Sequence, residues 1–137
     1  MPEIDSELEL ALNYLDHNKD ESLKRLFDIL KIPSISTQEK YSKDCLNAAN
    51  WFVEQLKDIG FDASIRETNG HPMVVAHFEQ EGPHFLFYGH YDVQPIDPIE
   101  LWNHDPFEPK IEKSNNGEII KARGASDDKG QVMTFIE

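Results

Sequence analysis

The sequence predicts an α/β fold in which N-terminal helices precede a mixed sheet. Apolar residues recur at helical spacing up to Gly60, and beyond it they alternate as they do in strands. Short turns rich in glycine or proline separate the later apolar runs. A final helical pattern reaches Glu137 after only a few residues, so we expect 1–137 to be an incomplete portion of such a domain.

The helical part divides into three predicted helices. The first covers 6–18, and the second covers 20–32, where Pro33 would end it because the residue before a proline disfavours helical geometry. Ser36 and Glu39 have the spacing of a capping box, in which each side chain bonds the other residue's backbone N–H. A third helix is therefore predicted over 36–59, with Cys45 packed on its buried side as an unreactive thiol.

The strands are predicted from alternation and from turn residues. Segments 61–68 and 73–78 alternate on either side of a glycine- and proline-containing turn. Segment 84–88 is nearly all apolar, which is typical of a strand buried on both faces. A hairpin is predicted over 110–121, and the last helix is predicted to begin near residue 131.

Composition excludes several classes of partner. The 137 residues carry a formal net charge of -13, which repels nucleic-acid phosphates and anionic lipid. No apolar run approaches the roughly 20 residues that span a bilayer. A single cysteine permits no internal disulfide, and the first residues lack the pattern of a secretory signal, so we expect a cytoplasmic protein.

His90 and Asp92 form the first candidate site. They follow the apolar segment 84–88, and at positions i and i+2 of an extended chain their side chains point the same way. Imidazole is a good zinc ligand, and a nearby carboxylate can fix its tautomer. A structural or incidental role for this pair remains the alternative.

Asp127 and Asp128 form the second candidate site. They lie in a turn between Gly124 and Gly130 where a helix is predicted to begin, so simple capping of that helix is the alternative. Two carboxylate-rich turns that each follow a strand can converge on a metal pair, with one aspartate between both ions. Among the other histidines only His104, beside Asp105, is an alternative candidate for facing this site.

Four segments together resemble the M20 family of zinc peptidases. They are Ile32-Pro33-Ser34-Ile35-Ser36, Gly89-His90-Tyr91-Asp92-Val93-Gln94-Pro95, Trp102 with Asp105-Pro106-Phe107, and Arg123-Gly124-Ala125-Ser126-Asp127-Asp128-Lys129-Gly130. The resemblance runs from about residue 23 to the end of the chain, and the order of the four motifs makes it specific.

The resemblance implies a role for each matching residue. His90 would bind one of two zinc ions, Asp127 would bridge both, and Asp92 would act in catalysis by orienting His90. Manganese or cobalt would suit the same ligands. The peptide between Asp127 and Asp128 is expected to be cis, and Lys129 is expected to neutralise carboxylate charge.

The dipeptidase branch of the family, which includes carnosinase-type enzymes, is the better match because of Gln94 and Gln131. The implied substrate is a dipeptide or short peptide amide. The alternative is a deacylase that takes N-acyl amino acids, of the acetylornithine deacetylase or succinyl-diaminopimelate desuccinylase type. A non-catalytic α/β binding module is a third interpretation.

The chain departs from the family pattern in length. Family members are several hundred residues long, with a dimerisation domain, and their general base and remaining zinc ligands lie beyond the aspartate turn. Residues 1–137 are therefore expected to be the N-terminal part of the catalytic domain of a homodimeric parent enzyme. We expect this polypeptide alone to be inactive and not to hold zinc stably.

Overall fold

A computed structural model describes the backbone of residues 2–137 and the side chains from residue 6 onward. The first element is a single helix, α1 (Pro2–Leu30), so the prediction of two helices is wrong. The stretch between them contains neither glycine nor proline, and nothing else there interrupts the backbone hydrogen bonds. No helix among the described residues is long and apolar enough to cross a membrane.

The second helix, α2 (Ser42–Asp58), follows a short 3₁₀ turn at Glu39–Tyr41. The predicted capping box is wrong, because Gln38 and not Ser36 precedes the turn and no side chain caps it. The predicted burial of Cys45 is confirmed, and the buried side of α2 consists of Cys45, Ala48, Ala49, Phe52, Val53 and Leu56. Burial raises the pKa of the Cys45 thiol, which fits an unreactive packed residue.

The strands form two separate antiparallel hairpins. Strands β1 (Asp62–Arg66) and β2 (Met73–His77) pair with each other and pack against α2. Strands β3 (Lys110–Ser114) and β4 (Gly117–Lys121) form the second hairpin, where the sequence predicted it. The α/β class is therefore confirmed, with the strands arranged as two small sheets.

Segment 84–88 is not a strand, contrary to the prediction. The side chains of Phe85, Leu86 and Tyr88 are 93%, 97% and 86% exposed, and no described strand pairs with this segment. Two rings of the segment are stacked: Phe87 on Phe135, with ring centroids 4.1 Å apart, and His84 on His77, with ring centroids 5.9 Å apart. A strand buried on both faces requires covering layers on each side, and the described residues provide none here.

The last helix, α3 (Lys129–Ile136), closes the core at the C-terminal end of α1. Arg25 of α1 donates hydrogen bonds to the carboxylate of Glu137, directly after α3. The core is formed by residues from both ends of the chain: Ile29, Ala48, Phe52, Val53, Leu56, Ala63, Met133 and Ile136. This packing places the turn before α3 beside the segment that contains His90.

Candidate metal site

The structure brings His90, Asp92 and Asp127 together. His90 Nδ1 lies 3.0 Å from both the backbone oxygen and Oδ1 of Asp92. On the other edge of the ring, Nε2 lies 3.1 Å from Asp127 Oδ1. Both ring nitrogens therefore face acceptors, two at Nδ1 and one at Nε2. A ring that carries its proton on Nδ1 directs the Nε2 lone pair toward Asp127, where a cation can bind between them.

The surroundings of His90 favour positive charge at this point. Partial burial lowers the pKa of His90, but the hydrogen bonds with the Asp92 backbone and the Asp127 carboxylate raise it, as do the charges of Asp92 and Asp128. The net effect is a pKa above the ordinary value. A group of carboxylates that stabilises an imidazolium also attracts a metal cation.

The aspartate turn supports His90 through its backbone. The peptide between Asp127 and Asp128 is cis, as the family resemblance implies. Asp128 occupies the N-cap position of α3, but its side chain makes no capping hydrogen bond. Its Oδ2 instead accepts the backbone N–H of His90 at 3.0 Å, so the interpretation of this carboxylate as a simple helix cap is wrong.

The approach of the two segments depends on glycine at position 89. A Cβ atom at Gly89 would lie 2.5 Å from Val132 Cγ2 and 3.1 Å from Asp128 Oδ2. A side chain there would displace the Val132 side chain and crowd the Asp128 carboxylate that accepts the His90 N–H. Gly89 is therefore part of the architecture of the site.

Sequence reasoning missed the contribution of the connector after α1. Ile35 and Val93 form a parallel bridge, and the Val93 N–H donates to the Ser34 carbonyl at 2.9 Å. The buried Ser34 hydroxyl donates to the Tyr91 carbonyl at 2.7 Å, and the Ser36 hydroxyl donates to Asp92 Oδ2. The only signal was the family resemblance of this segment, which contains no acidic or imidazole side chain.

Lys129 lies within the electrostatic range of Asp92 and Asp44, but its hydrogen bonds are not with carboxylates. Its fully buried Nζ donates to the backbone oxygens of Ile29 at 3.0 Å and Ile32 at 2.6 Å. Burial lowers the pKa of Lys129 to about 7, because the charged form is removed from water. Lys129 thus ties the aspartate turn to the C-terminal end of α1.

His104 lies away from the site, so the alternative that it faces His90 is wrong. Its Nε2 donates to the backbone oxygen of Lys121 at 3.2 Å, and Nδ1 lies 3.9 Å from Glu112. The neighbouring Trp102 ring packs under the Arg123 guanidinium, 5.3 Å from the ring centroid. These contacts hold the segment that contains Trp102 and His104 against the end of β4.

The donor atoms at His90 and Asp127 fit one edge of a metal coordination shell. Zinc with bonds of about 2.0–2.1 Å in tetrahedral geometry separates neighbouring ligand atoms by about 3.3 Å. The observed separation of Nε2 and Oδ1 is 3.1 Å. The Asp127 side chain is 78% exposed, and its Oδ2 has no hydrogen bond to any described residue. Oδ2 is therefore available to bind a second metal ion.

The described residues provide only part of a coordination shell. Among them there is no group of three or more histidine, cysteine or acidic side chains that could hold a metal ion. A groove of about 670 Å³ adjoins the site, and His90 and Asp92 are among its lining residues. Most of its remaining lining is apolar and includes the exposed residues 85–88.

Comparison with known proteins gives consistent matches. Residues 86–137 match Peptidase family M20/M25/M40. The chain is 30% identical to the Cys-Gly metallodipeptidase DUG1 of Candida albicans over 94% of its own length and 29% of that protein. It is 37% identical to the succinyl-diaminopimelate desuccinylase of Alkalilimnicola ehrlichii over 61% of its length and 21% of that protein.

A solved structure also shares the fold. The crystal structure of human carnosine dipeptidase 1 superimposes with a TM-score of 0.78 at 25% identity, over 94% of this chain and 29% of that one. The chain spans less than a third of the length of the relatives that it matches.

Proposed function

Because the chain belongs to peptidase family M20/M25/M40, we propose that His90 and Asp127 are metal ligands of a metal-dependent hydrolase. The observation that supports this most strongly is the arrangement of His90. Its Nε2 faces Asp127, and on the opposite edge of the ring Nδ1 contacts the Asp92 carboxylate. A carboxylate behind a ligating histidine fixes its tautomer and increases its basicity.

The proposed metal centre contains two zinc ions, with manganese or cobalt as substitutes. His90 would bind one ion and Asp127 would lie between both, which its exposed second oxygen permits. Bound divalent ions would polarise the scissile carbonyl and lower the pKa of water. Asp92 contributes by keeping the His90 proton on Nδ1, and Asp128 contributes by holding the His90 backbone N–H.

The proposed substrate is a dipeptide or short peptide amide. Two relatives on which this rests are named as dipeptidases, and each alignment covers 94% of the chain. The second candidate is deacylation of N-acyl amino acids, which the 37% identity to a desuccinylase supports over a shorter span. The two activities differ in the substrate group next to the scissile amide.

We further propose that residues 1–137 form the N-terminal part of the catalytic domain in a homodimeric cytoplasmic enzyme. The order of the motifs and the partial coverage of the relatives support this assignment. Two protein ligands and no identified general base leave the mechanism incomplete within these residues. The isolated 137-residue polypeptide is accordingly proposed to bind zinc weakly and to be inactive.

The complete product of the natural gene provides the test. It would be loaded with zinc and assayed against a panel of dipeptides and against N-acetyl and N-succinyl amino acids. Dipeptide hydrolysis that a chelator abolishes and zinc restores is the expected result. Turnover of N-acyl amino acids alone would support the deacylase, and no turnover of either class would contradict a hydrolase.

A further inference from the structure

Ser36 extends the chain of contacts behind His90 by one residue. Its hydroxyl donates to Asp92 Oδ2, while Asp92 Oδ1 lies 3.0 Å from His90 Nδ1. The two oxygens of the carboxylate therefore have different partners. One oxygen is anchored to the connector and the other faces the imidazole.

We propose that Ser36 is a positioning residue, whose hydroxyl fixes the orientation of the Asp92 carboxylate and thereby keeps the His90 proton on Nδ1. The importance of this proton for metal binding rests on the proposed function, whereas the positioning itself does not. The match to the family begins at residue 86 and therefore does not include Ser36.

Ser36 is suited to this role because its backbone is held independently of Asp92. Its carbonyl oxygen accepts a hydrogen bond from His71 Nε2 at 2.8 Å. The preceding residue, Ile35, is only 1% exposed and forms the parallel bridge with Val93. The hydroxyl thus projects from a fixed point toward Asp92.

Asp92 needs such an anchor because its side chain is 40% exposed. Without the Ser36 hydroxyl, the carboxylate can rotate toward water and away from His90. Nδ1 would then keep only the Asp92 backbone oxygen, also at 3.0 Å, as an acceptor. The preference for a proton on Nδ1 should therefore weaken but not disappear.

The first measurement is the tautomer of His90 in the 137-residue chain, observed by long-range ¹H–¹⁵N NMR at a pH where the ring is neutral. Ser36→Ala is compared with Ser36→Thr, which keeps the hydroxyl, and with Thr37→Ala. Thr37 is a matched control because its side chain is exposed and has no hydrogen bond with a described residue. Amide spectra verify that each variant keeps the fold.

We expect a ring protonated at Nδ1 in the wild type, in Ser36→Thr and in Thr37→Ala. Ser36→Ala should show a clear increase in the form protonated at Nε2. A wild-type ring without the Nδ1 proton, or Ser36→Ala spectra identical to wild type, would overturn the proposal. An equal change in Ser36→Thr or Thr37→Ala would assign the effect to packing and would also overturn it.

The second measurement is the zinc affinity of the complete gene product, determined by competition with a chromophoric chelator. Loss of a direct partner of a ligating histidine costs roughly 10–100-fold in affinity, so we expect about a 3–10-fold loss for Ser36→Ala. Unchanged affinity would contradict a role in metal binding. A tautomer change in a protein without hydrolase activity would retain the positioning role and reject the proposed function.

Discussion

Replacing Gly130 by alanine should disrupt the aspartate turn. Gly130 is the second residue of α3, and its N–H donates to the Gly124 carbonyl at 3.2 Å. A Cβ atom at this position would lie 1.9 Å from the backbone oxygen of Ala125. Carbon–oxygen contacts normally begin near 3.3 Å, so the two backbone segments would have to separate by roughly 1.4 Å.

The expected cost follows from the type of atom that is displaced. Overpacking in protein interiors typically costs about 1–3 kcal/mol, and a fixed backbone oxygen cannot rotate away as a side chain can. We therefore expect the free energy of unfolding to fall by about 3 kcal/mol. With a urea slope of about 2 kcal/mol per molar, the midpoint should fall by about 1.5 M.

Urea unfolding followed by tryptophan fluorescence measures this change, since Trp51 and Trp102 report on different parts of the fold. Gly70→Ala is the matched control, because its added Cβ would meet only Thr68 Oγ1 at 3.9 Å. The control should unfold within about 0.5 kcal/mol of wild type. A Gly130→Ala midpoint equal to that of Gly70→Ala would show that the added Cβ does not clash with the Ala125 backbone.

Three further changes test other parts of the structure. The Lys129 amine keeps its proton up to about pH 10.5 in the unfolded chain but releases it near pH 7 in the folded chain. Because the unfolded state binds more protons between these pH values, the free energy of unfolding should rise with pH by up to about 1.4 kcal/mol per pH unit. Urea midpoints at pH 7 and 9 should show this rise in wild type and not in Lys129→Met; equal slopes would contradict it. The hydrogen bond with Arg25 lowers the pKa of Glu137 in the folded protein. The ion pair therefore stabilises the fold at any pH above the pKa of Glu137 in the unfolded chain, and this stabilisation is lost as the pH falls through the lower pKa of the folded state. Glu137→Gln should therefore lower stability by about 1–2 kcal/mol at pH 7 in thermal unfolding, and by less at pH 3, whereas an equal effect at both pH values would count against the ion pair. Leu86→Ser should change the free energy of unfolding, measured in urea, by less than about 0.5 kcal/mol because the side chain is exposed. A decrease in this free energy above about 1 kcal/mol would show that Leu86 is packed in the folded protein.

Local patterns predicted the elements whose stabilising contacts are local. The hairpin over 110–121 was found because its turn and its two strands are adjacent in sequence. The buried side of α2 followed from helical spacing. The pairing of His90 with Asp92 required only that positions i and i+2 of an extended segment share a face.

The remaining features depend on contacts between distant parts of the chain. Segment 84–88 has the composition of a buried strand, but burial also requires partners, which composition does not reveal. Ser36 was assigned to a capping box with Glu39, three positions away, whereas its hydroxyl bonds Asp92, 56 positions away. Lys129 was expected to neutralise carboxylate charge, and nothing in the sequence indicated that its hydrogen bonds go to backbone oxygens of α1 and the following connector. In each case the physical chemistry of the side chain was clear and the identity of its neighbour was not.

The zinc affinity of the complete gene product, measured for single-ligand variants, tests whether His90 and Asp127 are metal ligands. His90→Ala and Asp127→Ala would be compared with His77→Ala, which replaces an exposed histidine of β2. Loss of a ligand should exceed the roughly 10–100-fold cost of losing an outer partner, so we expect a decrease of at least about 100-fold in both ligand variants and wild-type affinity in the control. Wild-type affinity in either His90→Ala or Asp127→Ala would contradict the assignment of that residue as a metal ligand.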